Sequence, residues 1–596
     1  MTGKTYPHDG MLLPVCRRDM DERGWDECDF IFVSGDAYVD HPSFAAAILC
    51  RMLEANGFRV GIIPQPDWRK TESYKIMGKP RFAFLIGAGS MDSMVAHYTA
   101  AKRKRSEDAY SPGGRSGFRP DRATLVYAEG IRRAYKNAGQ SKTAVIIGGI
   151  EASLRRFAHY DYWSDTVRRS ILLDSKADIL VYGMGERPLL EIARRLAKGE
   201  SVDSVNDARG TCVRVHGKAC EIFSETSSWK DAVFLPPYET VKKTDDPSLR
   251  EKAALAYARH FMIQKENSDP LIAKPLAEEN DGSRYVIQNP PAMPLSTEEL
   301  DKLYELPFTR KAHPLYAGGI NALKEVSFSL VTSRGCFGGC SFCAITSHQG
   351  RAVTGRSKES LIREASALTQ HDDFKGYIHD AGGPTANFFR PACDRQKTGG
   401  FCTDRECLYP SPCPKLKADH RAYLETLGAL REISGIKKIF IRSGIRFDFI
   451  QNDKKYGYEF LETISRHHIS GQLKTAPEHV SANVLDAMGK NTSSYEQFRK
   501  DFNIINKRLG LKQYLLPYFI LAHPGAGMKE ARELALYLKK TGFMPEQTQE
   551  FYPVPGTLST VMYYTGIDPR TYKPVSTAKG GRERRAQKKF IMKKHN

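Results

Sequence analysis

Short apolar runs alternate with longer helical patterns along the first half of the chain. Each run ends near a small or polar residue, and stretches with helical spacing, such as residues 43–54 and 188–196, separate the runs. Buried strands that alternate with helices are typical of a parallel α/β sheet. We therefore predict an N-terminal α/β domain at residues 1–263, built on a doubly wound parallel sheet. The predicted strands are residues 30–33, 59–63, 82–86, 144–147 and 179–182.

Glycines follow two of the predicted strands, at residues 148–149 and at Gly183 and Gly185. Ligands of parallel sheets bind beyond the carboxyl ends of the strands. Glycine lets a ligand approach the backbone closely, and the start of a following helix attracts anions. Glycines that end strands are also ordinary turn residues. The two segments therefore predict either a ligand site or simple turns.

The alternation of predicted strands and helices stops between residues 264 and 308. Prolines such as Pro270, Pro275 and Pro290 interrupt any regular element there. We predict a linker over residues 264–308. Strand-then-helix units recur after it, and they predict a partial (β/α)6 barrel over residues 309–575, with functional groups at the carboxyl ends of its strands. The predicted barrel strands are residues 326–331, 375–379, 437–442, 472–475, 513–520 and 549–552.

Three cysteines, Cys336, Cys340 and Cys343, follow the first predicted barrel strand with the spacing C-x3-C-x2-C. Three thiolates on one tight loop can each bind one iron of a cubane, and the fourth iron then has no protein ligand. Zinc usually takes four ligands, often from C-x2-C pairs. The spacing therefore favours a [4Fe–4S] cluster. Glycines on both sides of Cys336 would let the loop fold closely around it.

The whole pattern resembles the YgiQ-like family of radical S-adenosylmethionine (SAM) proteins. The resemblance covers nearly the full chain, including a basic segment at 102–105, the segment 148–153, the cysteine loop and a Pro-Gly-Thr sequence at 555–557. It implies that the open iron binds the amino and carboxylate groups of SAM. An electron from the cluster then breaks a sulfonium C–S bond and gives a 5′-deoxyadenosyl radical. The protein contributes orientation, cluster potential and shielding from water, and an external electron donor is an implied partner.

The resemblance also implies which residues hold SAM. An aromatic residue just before the last cysteine lies near adenine, a glycine pair after the second strand binds the methionine amino group, and an arginine suits the carboxylate. Hydroxyl and carboxylate groups after the third and fourth strands suit the ribose and the amino group. The carboxylate, and a histidine after the fifth strand, are also open to a purely structural interpretation. The candidate residues are Phe342, Gly382, Gly383, Ser443, Arg446, Thr475, Glu478 and His523.

A second group of cysteines lies in a predicted insertion at residues 385–416 and has the spacing C-x8-C-x4-C-x5-C. The segment is rich in Pro, Gly and Lys and has few apolar residues to fold it. Four thiolates could bind zinc or an auxiliary iron–sulfur cluster and so order the loop. The alternative is free thiols in a mobile loop. The four residues are Cys393, Cys402, Cys407 and Cys413.

The N-terminal half resembles the cobalamin-binding-type domain that precedes the catalytic domain in one large radical SAM class. In that class the cobalt ligand lies in the pattern Asp-x-His-x-x-Gly. This sequence does not contain the pattern, because Asp40 and His41 are adjacent. We therefore predict that the domain does not bind cobalamin through a histidine ligand.

The chain is strongly basic, since 89 Lys and Arg outnumber 69 Asp and Glu and give a net charge of +20. Part of the excess lies in a predicted tail at residues 576–596, and part in the segment that begins with residues 102–105. Basic segments can bind nucleic acid by neutralising phosphates, so RNA is one candidate substrate or partner. The alternative is that these segments are solvated, disordered and unconnected with binding.

Apolar residues make up 41% of the chain, which allows a sizeable folded interior. No run approaches the ~20 apolar residues that span a bilayer, and the start of the sequence has no apolar segment of signal-peptide type. We therefore expect a cytoplasmic protein without a membrane partner. The leading functional hypothesis is a radical SAM enzyme. The alternative is an iron–sulfur binding protein whose cluster serves redox sensing or structure.

Overall fold

The structure, a computed structural model, describes residues 11–136, 143–242, 244–491, 494–543 and 548–592. The chain divides into two compact units. The first unit contains Met1–Asp246, Pro270–Met293 and Lys302–Ser327, and the second contains Pro247–Asp269, Pro294–Asp301 and Phe328–Asn596.

A nine-stranded sheet forms the centre of the first unit, in the order β2-β1-β3-β4-β7-β8-β11-β10-β9. The first five strands of that order pair in parallel, with Phe30 opposite both Val60 and Ala83. They are mostly apolar and almost wholly buried, as expected of strands covered by helices on both faces. The predicted doubly wound parallel sheet is confirmed. The strands are β1 (Phe30–Ser34), β2 (Val60–Pro64), β3 (Ala83–Gly87), β4 (Ala144–Gly148), β5 (His159–Asp161), β6 (Thr166–Arg168), β7 (Ile179–Val181), β8 (Thr211–His216), β9 (Val233–Phe234), β10 (Leu276–Asn280) and β11 (Arg284–Gln288).

The sheet continues past its parallel part with strands that lie partly inside the predicted linker at 264–308. Strand β8 pairs antiparallel with β7, β11 pairs with β8, and β10 pairs with β11. The structure therefore differs from the linker prediction. The physical reason is that short apolar stretches lie between the prolines: Leu276, Val286 and Ile287 are fully buried in the sheet.

The helices of the first unit are short or of moderate length, and within the described residues of the whole chain no helix is both long and apolar enough to cross a membrane. Helix Thr297–Tyr304 is divided between the two units. The other helices of the first unit are Arg17–Glu22, Ala45–Ala55, Ser93–His97, Ala123–Ala134, Gly149–Ser153, Ile171–Ser175, Glu186–Ala197, Ala219–Ile222, Tyr238–Val241 and Asn321–Val326, with a 3-10 helix at Thr71–Tyr74.

The second unit contains parallel strands that follow one another in chain order, as in a partial (β/α)6 barrel. Strand β12 pairs with β16, β15 with β17, β18 with β19 and β19 with β20, all in parallel. The Ala381 N–H donates to the Phe440 carbonyl at 2.9 Å, and a parallel bridge joins Ile445 to Thr475, so neighbouring pairs continue into each other. The strands are β12 (Ser329–Val331), β13 (Ser333–Arg334), β14 (Thr354–Gly355), β15 (Tyr377–Ile378), β16 (Asp380–Gly382), β17 (Lys438–Ile439), β18 (Gln472–Glu478), β19 (Tyr514–Leu521), β20 (Gln549–Glu550), β21 (Ile567–Asp568) and β22 (Lys573–Pro574).

Helices pack against these strands and bury an apolar core that includes Leu330, Ile378, Ile439 and Leu473. The predicted barrel is therefore present. Its helices, together with one that precedes it in the chain, are Pro247–Glu266, Ala344–Gln349, Lys358–Leu368, Asp394–Lys397, Arg421–Arg431, Phe447–Asn452, Gly457–His467, Ala482–Ala487, Tyr495–Arg508, Met528–Thr541, Leu558–Thr565 and Gly581–Met592.

The predicted basic tail at 576–596 is a packed helix over Gly581–Met592. Arg584, Gln587 and Ile591 recur at helical spacing and are buried. The Arg584 guanidinium donates to the Phe551 carbonyl at 2.6 Å, and the Gln587 amide donates to the Ala526 carbonyl at 2.9 Å. Up to residue 592 the structure thus shows an ordered helix and not the disordered segment of the alternative. The last residues of the predicted tail lie outside the described residues.

Candidate functional site

The cysteine loop follows β13 and begins at Gly335, which has a positive φ of +82°. A Cβ at this position would lie 2.1 Å from the Ala352 carbonyl oxygen, so the loop requires glycine there. The Cys336 N–H donates to the Gly350 carbonyl and the Cys343 N–H donates to the Cys340 carbonyl, both at 3.1 Å. These contacts fold the loop back on itself.

The three thiols interact electrostatically with one another. Burial, followed by the neighbouring Cys340 and Cys336, raises the pKa of Cys343 to about 12. Burial also raises the pKa of Cys340, against the nearby cations Lys490 and Arg446. The cysteine thiols must therefore lose their protons when a metal ion or a cluster binds, as at any thiolate site.

The cysteine loop supplies three thiols, the number of protein ligands of a cubane with one open iron. Among the residues that the structure describes, no three His, Cys, Asp or Glu side chains are arranged to hold one metal ion. A cubane spreads its thiolate ligands around a larger body, one on each of three irons. Gly338 is closely packed, since a Cβ there would lie 2.5 Å from an Arg446 nitrogen and 3.3 Å from the Cys336 sulfur. The residues present therefore fit the cluster.

Arg446 lies against this loop. One of its N–H groups donates to the Gly338 carbonyl at 3.3 Å and to the Cys340 sulfur at 3.5 Å. The rest of the guanidinium binds both carboxylate oxygens of Asp448, at 2.8 and 2.5 Å. Burial alone would raise the pKa of Asp448, but the adjacent Arg446 outweighs it and holds that pKa below its usual value.

Phe342 and His523 are in ring contact beside the loop, with centroids 5.9 Å apart in an edge-on arrangement. His523 is fully buried, and burial lowers its pKa to about 3, so its imidazole is neutral near pH 7. Its Nε2 lies 2.7 Å from the Ser559 hydroxyl, which lies 2.9 Å from the Ser341 hydroxyl. A hydrogen-bonded chain thus ties His523 to the cysteine loop.

Glu478 ends β18 in a left-handed conformation, with φ +66°. Its carboxylate accepts a hydrogen bond from the Lys490 ammonium at 3.3 Å, and both side chains are buried. Lys490 also donates to the Ala476 carbonyl at 2.6 Å. Glu478 is therefore fixed in place beside the barrel strand end.

Gly382, Gly383 and Ser443 come together at the ends of the second and third strands. The Asp380 carboxylate accepts hydrogen bonds from the Ser443 hydroxyl and backbone N–H. A Cβ on Gly382 would lie 2.7 Å from the Ser443 Oγ, and a Cβ on Gly383 would lie 2.7 Å from the Ser333 Oγ. The Ser333 hydroxyl is buried without a hydrogen-bond partner within the described structure, so a polar group remains to be satisfied there.

Thr475 is buried, and its hydroxyl lies 3.2 Å from the Tyr495 hydroxyl. This contact anchors β18 to the helix Tyr495–Arg508. The structure therefore brings Phe342, Arg446 and His523 against the cysteine loop and Gly382, Gly383 and Ser443 into a second group, while Thr475 contacts a helix. Their roles toward SAM stay predictions.

The second cysteine group packs beside the cluster loop but does not form a single-ion site in the described residues. All four thiols are half-buried. The cysteine insertion is held by apolar side chains, since Phe401 and Leu408 are buried, and by Arg351, which donates to the Cys402 carbonyl at 2.7 Å and pairs with Glu406. The structure thus differs from the expectation that too few apolar residues are present, and it gives no support to a second metal at Cys393, Cys402, Cys407 and Cys413.

Asp40 and His41, the residues nearest to a cobalamin pattern, are both fully buried in the first unit. Asp40 pairs with Arg51 at 2.7 Å, and the His41 Nε2 lies 3.0 Å from an Arg310 nitrogen. Burial, together with Arg310, lowers the pKa of His41 well below its usual value. In this arrangement both side chains serve internal contacts.

Sequence reasoning missed several residues that hold the site. Asp448, Lys490 and Ser559 orient the loop or the strand ends, yet none lies in a recognisable motif. Asp448 follows Arg446 by two residues. This closeness of opposite charges is the one feature of the sequence that could have predicted the Arg446–Asp448 ion pair.

Comparisons with known proteins bear on the family of this chain. A family model described as "Radical SAM N-terminal" matches residues 12–329, and one described as a domain of unknown function (DUF3362) matches residues 546–596. A UPF0313 protein of Clostridium botulinum (strain ATCC 19397 / Type A) is 50% identical over 583 residues, which cover 97% of this chain and 86% of the relative. A UPF0313 protein of Clostridium perfringens (strain 13 / Type A) is 49% identical over 587 residues, covering 98% and 85%.

Two solved structures also align with the chain at low identity. The radical SAM methyltransferase TsrM of Kitasatospora setae, with tryptophan and a SAM analogue bound, has a TM-score of 0.48 at 13% identity and covers 88% of this chain and 74% of its own. The cobalamin-dependent SAM radical enzyme OxsB, with aqua-cobalamin bound, has a TM-score of 0.47 at 12% identity and covers 87% and 53%.

Proposed function

This chain belongs to the UPF0313 family, and on that premise we propose that it is a radical SAM enzyme. In this proposal Cys336, Cys340 and Cys343 hold a [4Fe–4S] cluster, and SAM binds at the open iron. The observation that carries the proposal is the glycine-lined loop itself. It places three thiols directly after the first barrel strand, close enough to interact electrostatically with one another.

When bound and reduced, a cluster of this kind supplies the electron for reductive cleavage of SAM. The chain's own residues bind and orient. Phe342 offers an aromatic surface for adenine, and its packing on His523 fixes the ring. The strand ends at Gly382 and Ser443 offer backbone and hydroxyl groups for the polar part of SAM. Partial burial of the loop limits the access of water, which protects a radical from side reactions.

The test uses the full chain, reconstituted without oxygen and mixed with SAM and dithionite. We expect 5′-deoxyadenosine to form. The variant in which Cys336, Cys340 and Cys343 are all replaced by alanine should form none, whereas Cys220→Ala, which removes an exposed cysteine, should behave as the unmodified protein. Formation of 5′-deoxyadenosine by the triple variant would overturn the proposal.

RNA is the substrate class that we propose for this chemistry. The supporting observation is the terminal helix Gly581–Met592, whose buried face is fixed on the barrel while Arg582, Arg585 and Lys589 point to solvent. Cations held at regular spacing on a fixed helix suit a phosphate backbone. The remaining basic segment, at residues 102–105, is exposed in the first unit.

RNA binding is tested by measuring the salt dependence of affinity for a tRNA mixture. Neutralising Arg582, Arg585 and Lys589 to glutamine should lower affinity and reduce the log–log salt slope by roughly 2 to 3. The matched control neutralises three exposed lysines of the same unit, and its slope should not change. An equal effect of the two triple variants would exclude a dedicated surface on the terminal helix. The control residues are Lys500, Lys507 and Lys512.

A further inference from the structure

Two buried ion pairs flank the cysteine loop at Cys340. Arg446 pairs with Asp448, and Lys490 pairs with Glu478. The four side chains are between 6% and 11% exposed, so water screens their charges poorly. Buried pairs of this kind are expensive to desolvate and are weak evidence for stability alone. Their concentration around one thiol therefore calls for a functional reason.

The Arg446 guanidinium binds Asp448 along one edge and the cysteine loop along the other. The carboxylate of Asp448 accepts two hydrogen bonds from the guanidinium, which fixes its plane. The remaining nitrogen donates toward the Cys340 sulfur at 3.5 Å and the Gly338 carbonyl at 3.3 Å. A Cβ on Gly338 would lie 2.5 Å from this nitrogen, so glycine is what admits the contact.

Lys490 reaches the same loop through the turn that precedes it. The Ser341 N–H donates to the Met488 carbonyl at 3.0 Å. A Cβ on Gly489 would lie 3.2 Å from the Gly339 carbonyl oxygen. The turn therefore lies directly against the loop, and its buried ammonium is close enough to Cys340 to act on it electrostatically.

The anion that pairs with Lys490 is also held in an unusual backbone conformation. Glu478 has φ +66°, a region that non-glycine residues rarely adopt and that the surrounding structure must hold at some cost. This geometry aims the carboxylate at Lys490. Both cations thus have a fixed anionic partner, and each partner limits how much positive charge reaches the loop.

We propose that Arg446 and Lys490 are positioning residues that raise the reduction potential of the cluster, and that Asp448 limits the increase. The inference rests on the proposed function, because it presupposes a cluster on Cys340. Hydrogen bonds to the sulfurs and the net charge around a cluster set its potential. Reduction adds one electron, supplied by the external donor, so a buried cation next to a ligand sulfur stabilises the reduced form. This gives Arg446 a different role from binding the SAM carboxylate.

The test is a redox titration of the full, reconstituted protein, followed by electron paramagnetic resonance without SAM. Arg446→Gln and Lys490→Gln should each lower the midpoint potential by about 59 mV, a tenfold change in the ratio of reduced to oxidised cluster for one electron. Asp448→Asn removes the limiting anion and should raise the potential. The control is Lys474→Gln, which neutralises an exposed lysine on β18 and should leave the potential unchanged.

Opposite signs for Arg446→Gln and Asp448→Asn are the signature that a merely structural role would not produce. Unchanged potentials in iron-loaded variants, or shifts of the same sign, would overturn the inference. Iron content is measured for every variant. If Arg446→Gln does not retain iron, Asp448→Asn decides alone by the sign of its shift. If the unmodified protein assembles no cluster, the proposed function fails. That outcome is distinguishable from failure of this inference alone, in which a cluster forms but its reduction potential does not depend on these residues.

Discussion

Replacing Gly335 by alanine should disable the cysteine loop. The residue has φ +82°, where an L-residue costs about 1–2 kcal/mol. Its new Cβ would lie 2.1 Å from the Ala352 carbonyl oxygen and 2.9 Å from the carbonyl carbon. Because the obstacle is backbone rather than a flexible side chain, the loop must move, and overpacking of this kind costs roughly 1–3 kcal/mol more. The sum is about 2–5 kcal/mol, concentrated at the cluster ligands.

The assay measures iron per chain after anaerobic reconstitution, together with the urea midpoint followed by circular dichroism. Gly335→Ala should retain little iron. The matched control is Gly566→Ala in the same unit, since Gly566 has φ +73° and no atom lies within 4 Å of its Cβ position. It should cost only about 1–2 kcal/mol and retain iron fully. Equal iron retention in the two variants would refute the argument from the carbonyl contact.

Three further predictions follow from single features of the second unit. Ser341→Ala removes two buried hydrogen bonds of 2.6 and 2.9 Å. It should lower the free energy of unfolding by about 1–3 kcal/mol and weaken iron retention. Ser347→Ala, which removes an exposed hydrogen bond, should have neither effect. Burial lowers the pKa of His468 to about 4 from 6.5. As pH falls from 6.5 toward 4, the unfolded chain takes up a proton that the folded chain does not, so stability should fall by up to about 1.4 kcal/mol per pH unit. His468→Gln should remove this part of the pH dependence of the urea midpoint, whereas exposed His216→Gln should not. Metal analysis should give about four irons per chain and no zinc. That result should be unchanged when all four cysteines of the second group become serine, and a loss of iron or zinc in that variant would restore a second site: Cys393, Cys402, Cys407 and Cys413.

The parallel strands of the first unit could be predicted from the sequence because each is a short run of apolar β-branched and aromatic residues. The prediction at residues 82–86 and the observed β3 (Ala83–Gly87) differ by one position at each end. Strands that are buried on both faces leave such continuous runs. The antiparallel extension was harder, because β8 and β10 contain polar residues that interrupt the apolar run.

The terminal helix illustrates a different limit. Its composition is basic, so the average over Gly581–Met592 suggests a solvated segment, while its buried residues are few and include a charged one, Arg584. Partners on the barrel, among them the Phe551 carbonyl and the Glu550 carboxylate, make burial of that arginine favourable. Such partners are distant in sequence and cannot be identified until the fold is known.

The candidate site was predictable where chemistry depends on local spacing and not where it depends on packing. Cys336, Cys340 and Cys343 are close in sequence, and the loop that joins them is readable as a unit. Lys490 approaches this loop from a turn far along the chain, and nothing in the sequence singles it out. The same holds for Ser559, whose hydrogen bond to Ser341 joins distant segments.

The central claim is that three cysteines hold a cluster whose fourth iron is open to SAM. Electron paramagnetic resonance of the reduced, full-length protein before and after addition of SAM tests it most directly. The account predicts a cluster signal that changes when SAM is added and that disappears when Cys336, Cys340 and Cys343 are replaced by alanine. A cluster signal that SAM leaves unchanged, or one that survives the triple replacement, would contradict it.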